Sequence, residues 1–111
     1  MRNITQHAKV AFENNCTFKC SNTKVITDEN NTVRLFLHNN EIAKKLPSGE
    51  IHFSMCGWDS TTTKERLKAA SVKIVQRKGT QFYMHPEGDL LEIDTSAKYS
   101  IDENDFINEV K

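Results

Sequence analysis

SMCGWDSTTTKERLKAASVKIVQRKGTQFYM, residues Ser54 to Met84, changes its pattern twice, and those changes decide the fold class. Ile51, Phe53 and Met55 alternate with His52, Ser54 and Cys56, the period of a half-buried strand that Gly57-Trp58-Asp59 ends. Thr62-Thr63-Lys64-Glu65 then has capping-box spacing: a Thr hydroxyl accepts a first-turn N–H while the Glu reaches back to the cap. Leu67, Ala70 and Thr63 line one side of a helix ending near Ser71. At about two to three turns it depends on tertiary packing. Val72 to Arg77 and Gln81 to Met84 flank Lys78-Gly79-Thr80, where Gly79 supplies the positive φ of a tight hairpin.

Upstream, Ile4, Ala8, Ala11 and Phe12 have helical spacing within Asn3 to Glu13, and Asn14-Asn15 stops the helix. Thr17 to Lys19, Thr23 to Thr27 and Thr32 to His38 read as strands; in the last, Val33, Leu35 and Leu37 alternate with Arg34, Phe36 and His38. Phe36 therefore falls on the wetter face. Glu41 to Leu46 is a strand or connector before Pro47-Ser48-Gly49. Downstream, Leu90 to Ile93 is a short strand, and Ser100 to Glu103 repeats the capping-box spacing ahead of Ile101, Phe106, Ile107 and Val110. The expectation is one α+β domain over residues 1–111. Its small, mostly antiparallel sheet would pack with an N-terminal helix, a short central helix and a C-terminal helix.

With 111 residues the chain supports a single core. Its formal net charge of zero hides an asymmetry: residues 1–86 carry 13 Lys and Arg against 7 Asp and Glu, whereas residues 87–111 carry 2 against 8. A basic body is followed by an acidic C-terminal segment. The 3 cysteines, Cys16, Cys20 and Cys56, leave at least one thiol unpaired. No apolar run approaches the roughly 20 residues needed to span a membrane, and no apolar signal region follows Met1. The expected setting is reduced and intracellular, without a membrane partner.

Three segments read together carry a resemblance: SNTKV at Ser21 to Val25, LHNNEIA at Leu37 to Ala43, and CGWDSTTTKERL at Cys56 to Leu67. They resemble a group of small, uncharacterised phage and prophage proteins over approximately residues 20–84. The Gly-Trp turn followed by T-T-x-x-R-L at Thr62 to Leu67 is the most specific part. The resemblance implies a viral or prophage origin, hence the host cytoplasm, and a compact α+β fold. It supplies no catalytic residues.

Lys64, Arg66, Lys68, Lys73, Arg77 and Lys78 fall within fifteen positions, with Glu65 the one acidic residue among them. Cations presented together by a helix and a hairpin bind phosphates, although the same residues also make an ordinary solvated face. Lys64 and Lys68 share a helix face, Lys73 and Arg77 a strand face, so the fold decides whether they act together. Tyr83 is the stacking candidate, being opposite in parity to Phe82 and Met84, whereas Trp58 is expected in the core. Glu87, Asp89, Glu92 and Asp94, with Asp102, Glu103, Asp105 and Glu109, make the acidic segment a candidate protein-binding surface.

Cys16, Cys20, Cys56, His38, His52 and His85 lack paired metal-ligand spacing, and Glu92 and Asp94 read as a solvent-facing strand rather than a cation site. No phosphate loop, dinucleotide fingerprint, zinc-protease helix or nucleophile elbow is present. No metal or cofactor is therefore expected, and an enzyme, as a metal-dependent nuclease, is only the third reading. The leading reading is a non-catalytic phage accessory protein binding DNA or RNA through the basic helix and hairpin. The alternative is a host-directed interaction or inhibitor protein, or a virion assembly factor, using the acidic segment on a host or phage protein.

Overall fold

In the computed structural model, which describes residues 3–110, helix α1 (Asn3–Glu13) precedes five antiparallel strands. These are β1 (Phe18–Cys20), β2 (Thr23–Thr27), β3 (Val33–Leu37), β4 (Asn40–Lys45) and β5 (Ile51–Phe53). Helix α2 (Thr61–Leu67) then runs into a 3-10 turn (Lys68–Ala70). Strands β6 (Ile74–Arg77), β7 (Thr80–Met84) and β8 (Leu90–Glu92) follow, and β9 (Lys98–Ile101) and β10 (Ile107–Val110) close the chain. The strands form a seven-stranded sheet in the order β1-β2-β3-β4-β5-β9-β10 and a three-stranded sheet in the order β6-β7-β8. The α+β expectation is met.

Alternation selects the inner face of the large sheet. Val25, Val33, Leu35, Leu37, Phe53 and Tyr99 are buried there, while Lys24, Arg34, Phe36 and His52 take the other face at intervening positions. Each fully buried aliphatic side chain contributes roughly 1.5–3 kcal/mol. One bulge breaks the pattern: Leu35 pairs with Ala43 but Phe36 pairs with Glu41, so Ile42 is the extra residue. Ile42 and Ala43 are consequently both buried, and Glu41 reaches the outer face. There Arg34 donates to its carboxylate at 2.6 Å and to Asp28 at 3.4 Å. The Glu41 bond raises the Arg34 pKa above its ordinary value. At Asp28 the Thr32 N–H bond leads in lowering the carboxyl pKa, outweighing desolvation.

Helix α1 lies across β2, β3 and the 3-10 turn. Ala8 and Ala11 on one element and Ala69 and Ala70 on the other are all buried; small side chains let these backbones approach closely. The central helix is held from outside, as its length requires.

Three local expectations are corrected. The cap of α2 is Ser60, whose Oγ accepts from the Thr63 N–H at 3.1 Å, so the helix starts ahead of the Thr62 capping-box reading. The C-terminal helix does not form. Residues 98–110 make the β9–β10 hairpin instead, because Tyr99, Ser100 and Ile101 pair with Phe53, His52 and Ile51. The turn is built by Asp102, whose Oδ1 accepts the N–H groups of Asn104 and Phe106. Ser100 and Glu103 thus lie on a strand and in a turn, where a capping box has no helix to start. Trp58, expected in the core, is 63% exposed.

Candidate functional site

The six clustered cations divide into separate environments. Arg66 faces inward from α2 and is only 3% exposed. Its Nε donates to Thr23 Oγ1 at 2.8 Å and its Nη1 to Thr5 Oγ1 at 3.0 Å, joining α2 to β2 and α1. Thr5 in turn hydrogen-bonds Glu65; although burial opposes ionisation, this bond and nearby Lys68 hold the Glu65 carboxyl below its ordinary range. A guanidinium enclosed in this way is a structural cross-link, and Arg66 leaves the set of residues that can meet a phosphate.

The remaining five cations stay at the surface, with Lys64 half-buried and Lys68, Lys73, Arg77 and Lys78 exposed. Lys64 Nζ donates to Gln76 Oε1 at 3.0 Å, fastening the helix to β6 beside Arg77. Lys68 lies one turn along and is 3.4 Å from Glu65. The β6–β7 turn is shorter than the Lys78-Gly79-Thr80 connection expected: Thr80 pairs with Arg77, leaving Lys78 and Gly79 with φ of 51° and 82°. It projects Lys78 at the tip. Lys73, Val75 and Arg77 alternate with the inward Ile74, so they share the outer side of the small sheet.

The parity argument for Tyr83 holds, but its direction reverses. Tyr83 is 3% exposed and stacks on Phe53 at 5.9 Å, and its hydroxyl donates to the Asp105 carbonyl at 2.9 Å. Burial, with Asp105 and Asp102 nearby, pushes its pKa above the usual tyrosine value. It cannot stack on a ligand. Phe82 and Met84 take the outer side instead, with Phe82 half-buried opposite Val75 and between the positions of Lys73 and Arg77. Sequence parity had paired the right alternatives; what covers each face was not in it.

Glu87, Asp89, Glu92, Asp94, Asp102, Glu103, Asp105 and Glu109 are all exposed. Among the described residues no ion pair joins any of them to a cation. The acidic segment is instead fixed by its backbone. His85 Nε2 bonds the Asn104 carbonyl at 2.8 Å, its Nδ1 accepts from the Glu87 N–H at 3.0 Å, and its ring stacks on Phe106. Cys16, Cys20 and Cys56 are free thiols, and the described residues contain no His, Cys, Asp and Glu group able to hold a metal. No helix among the described residues is long and apolar enough to cross a membrane.

A groove missed in the sequence lies beside α2. Leu37, Ile42 and Met55 give it apolar lining, and Trp58, His38, Asn40, Ser60, Thr62 and Thr63 complete it. A second concavity, lined by Lys19, Lys24, Phe36 and His38 among others, shares His38 with it. Lys24 Nζ sits 4.9 Å from the centre of the Phe36 ring. The signal available was Trp58 itself, in a turn where Cys56 and Gly57 both take positive φ.

The model of the family described as Kyanoviridae Gp96 protein matches residues 1–111. It thus takes in α1 and the acidic segment, both outside the residues 20–84 of the earlier resemblance. No curated protein and no solved structure matches.

Proposed function

The chain belongs to the Kyanoviridae Gp96 protein family, a phage protein family, and from that premise we propose that it is a non-catalytic accessory protein that binds nucleic acid in the host cytoplasm. The observation carrying this reading is the Lys64–Gln76 bond, which sets the cationic helix against the cationic hairpin. Lys64, Lys68, Lys73, Arg77 and Lys78 supply phosphate contacts, each releasing counterions, and Arg77 adds a two-pronged donor. Phe82 replaces Tyr83 as the aromatic beside them. Among the described residues no ion pair joins the acidic segment to these cations, and of the five only Lys68 has a carboxylate partner, Glu65.

The test is binding of DNA and RNA oligonucleotides across a salt series, comparing the native chain with a Lys73→Gln, Arg77→Gln, Lys78→Gln variant. Weaker binding and a flatter salt dependence support the surface; unchanged affinity removes it. One observation favours the alternative, a protein partner: eight exposed carboxylates lie on residues 87–109. A host or phage protein retained after nuclease treatment, and lost when those carboxylates are neutralised, would establish that reading instead.

A further inference from the structure

Trp58 is the most exposed of the large hydrophobic side chains among the described residues, yet its backbone is firmly held. Its N–H donates to the Met55 carbonyl at 2.8 Å, and the Gly57 N–H donates to the Thr95 carbonyl at 2.8 Å. Cys56 Sγ bonds the Glu41 carbonyl at 3.2 Å, and the cap residue Ser60 follows directly. The indole is therefore presented by an ordered loop. Exposing the largest aromatic side chain on a fixed backbone forfeits burial that a small domain normally takes, which directs attention to what the ring meets.

The groove beside it has the chemistry of a base pocket. Trp58 provides an exposed π face, and the buried Leu37, Ile42 and Met55 close the floor beneath it. His38, Asn40 and Thr62 bring side-chain donors and acceptors that make no hydrogen bond within the described residues. No carboxylate, lysine or arginine lines it. The nearby cations lie outside it: Lys64 follows the lining residue Thr63 and points to Gln76, and Lys19 and Lys24 line a separate concavity that shares His38. An aromatic slot without lysine, arginine or carboxylate in its lining, and with cations on adjoining elements, matches one unpaired base whose phosphates stay outside it. A stacked duplex keeps its bases from such a slot.

We propose that the Trp58 groove takes an unstacked nucleobase, so that the ligand is single-stranded nucleic acid. This rests on the nucleic-acid reading above and narrows it. The base enters beside Trp58, and the phosphates of the same strand meet the cations of α2 and of the β6–β7 hairpin.

Trp58 is the only tryptophan in the chain, so its emission reports the groove directly. The experiment titrates the full chain and the Trp58→Ala and Trp58→Phe variants with an oligothymidine, and with a duplex containing it. Emission of the native chain is followed alongside anisotropy of the labelled oligonucleotide. Expected are quenching by the single strand, preference for it over duplex, and about a tenfold affinity loss in Trp58→Ala that Trp58→Phe largely restores. A Trp58→Ala variant that melts as the native chain does and binds the single strand equally well overturns the groove assignment while leaving the cationic surface intact. Absence of binding to either oligonucleotide overturns both. Emission that changes with protein concentration but not with oligonucleotide assigns the groove to a second copy of the chain and overturns the proposal.

Discussion

Helix α2 and the β6–β7 hairpin carry the same class of side chain to opposite fates. Arg66 ends among Thr5 and Thr23 at the junction of α1, α2 and β2, whereas Lys73, Arg77 and Lys78 remain in solvent on the small sheet. Identical charge in one short stretch thus does two jobs. A guanidinium can be withdrawn from water only where hydroxyls and its own geometry satisfy its donors, and the cost of removing it is then large. Cations on the hairpin have no such commitment, so their loss is felt by a ligand and not by the fold.

Breaking the inner member gives the largest effect. Arg66→Ala should destabilise the protein by about 2–4 kcal/mol, because hydroxyls and a cavity are left behind, measured by urea unfolding. A change below about 0.5 kcal/mol, the range of surface substitutions, would remove Arg66 from its structural role. Tyr83→Phe comes next, at about 1 kcal/mol for the lost hydrogen bond to Asp105. Its pH dependence sharpens the point. The folded pKa of Tyr83 is raised, so its contribution is complete below the ordinary tyrosine value and fades as pH rises through the folded one. Alkaline destabilisation should therefore be smaller in Tyr83→Phe than in the native chain.

The outer member responds differently. Lys73→Gln with Arg77→Gln and Lys78→Gln should alter stability by no more than about 0.5 kcal/mol. If each cation meets a phosphate, the same change flattens the logarithmic salt dependence of binding by roughly 2 to 3. A stability loss comparable to that of Arg66→Ala would erase the distinction between the two regions. Smallest is the effect of neutralising Glu87, Asp89, Glu92 and Glu103 as amides. Exposed and unpaired with the cations, they should shift oligonucleotide affinity by less than about threefold, and less again at physiological salt. A large gain would mean that the segment shields the basic surface through solvent.

Deleting Tyr99 to Lys111, a natural experiment for a detachable tail, is unsuitable here. It would strip β10 and nearly all of β9 from the sheet, including buried Tyr99, whose hydroxyl accepts the Asp94 N–H at 2.7 Å. The acidic segment is as much fold as candidate surface.

Much of this architecture was legible in residue order. Asn3 to Glu13, the strands around Val25 and Leu35, and the Lys78-Gly79 hairpin follow local rules: apolar period, turn residues and positive-φ glycine. The C-terminal hairpin was not legible, because Ile101, Ile107 and Val110 satisfy a helical spacing about as well as a strand one. Edge pairing with β5, far away in sequence, selected the strand. The candidate site was less legible still. Arg66 falls on the helix side of Thr63, Leu67 and Ala70, so its inward direction was readable, but the Thr5 and Thr23 hydroxyls that satisfy it there were not, and Trp58 after a glycine turn reads as core.

Periodicity and punctuation, being short-range properties, were sufficient for element type, for the α+β class and for the parity by which Tyr83 and Phe82 oppose each other. Which of those faces would be covered depended on partners brought from elsewhere: β5 over Tyr83, α1 and β2 around Arg66, and nothing over Trp58 among the described residues. Burial is a property of packed surfaces rather than of neighbours along the chain, and it is burial that separates the cations holding this protein together from those it offers to solvent.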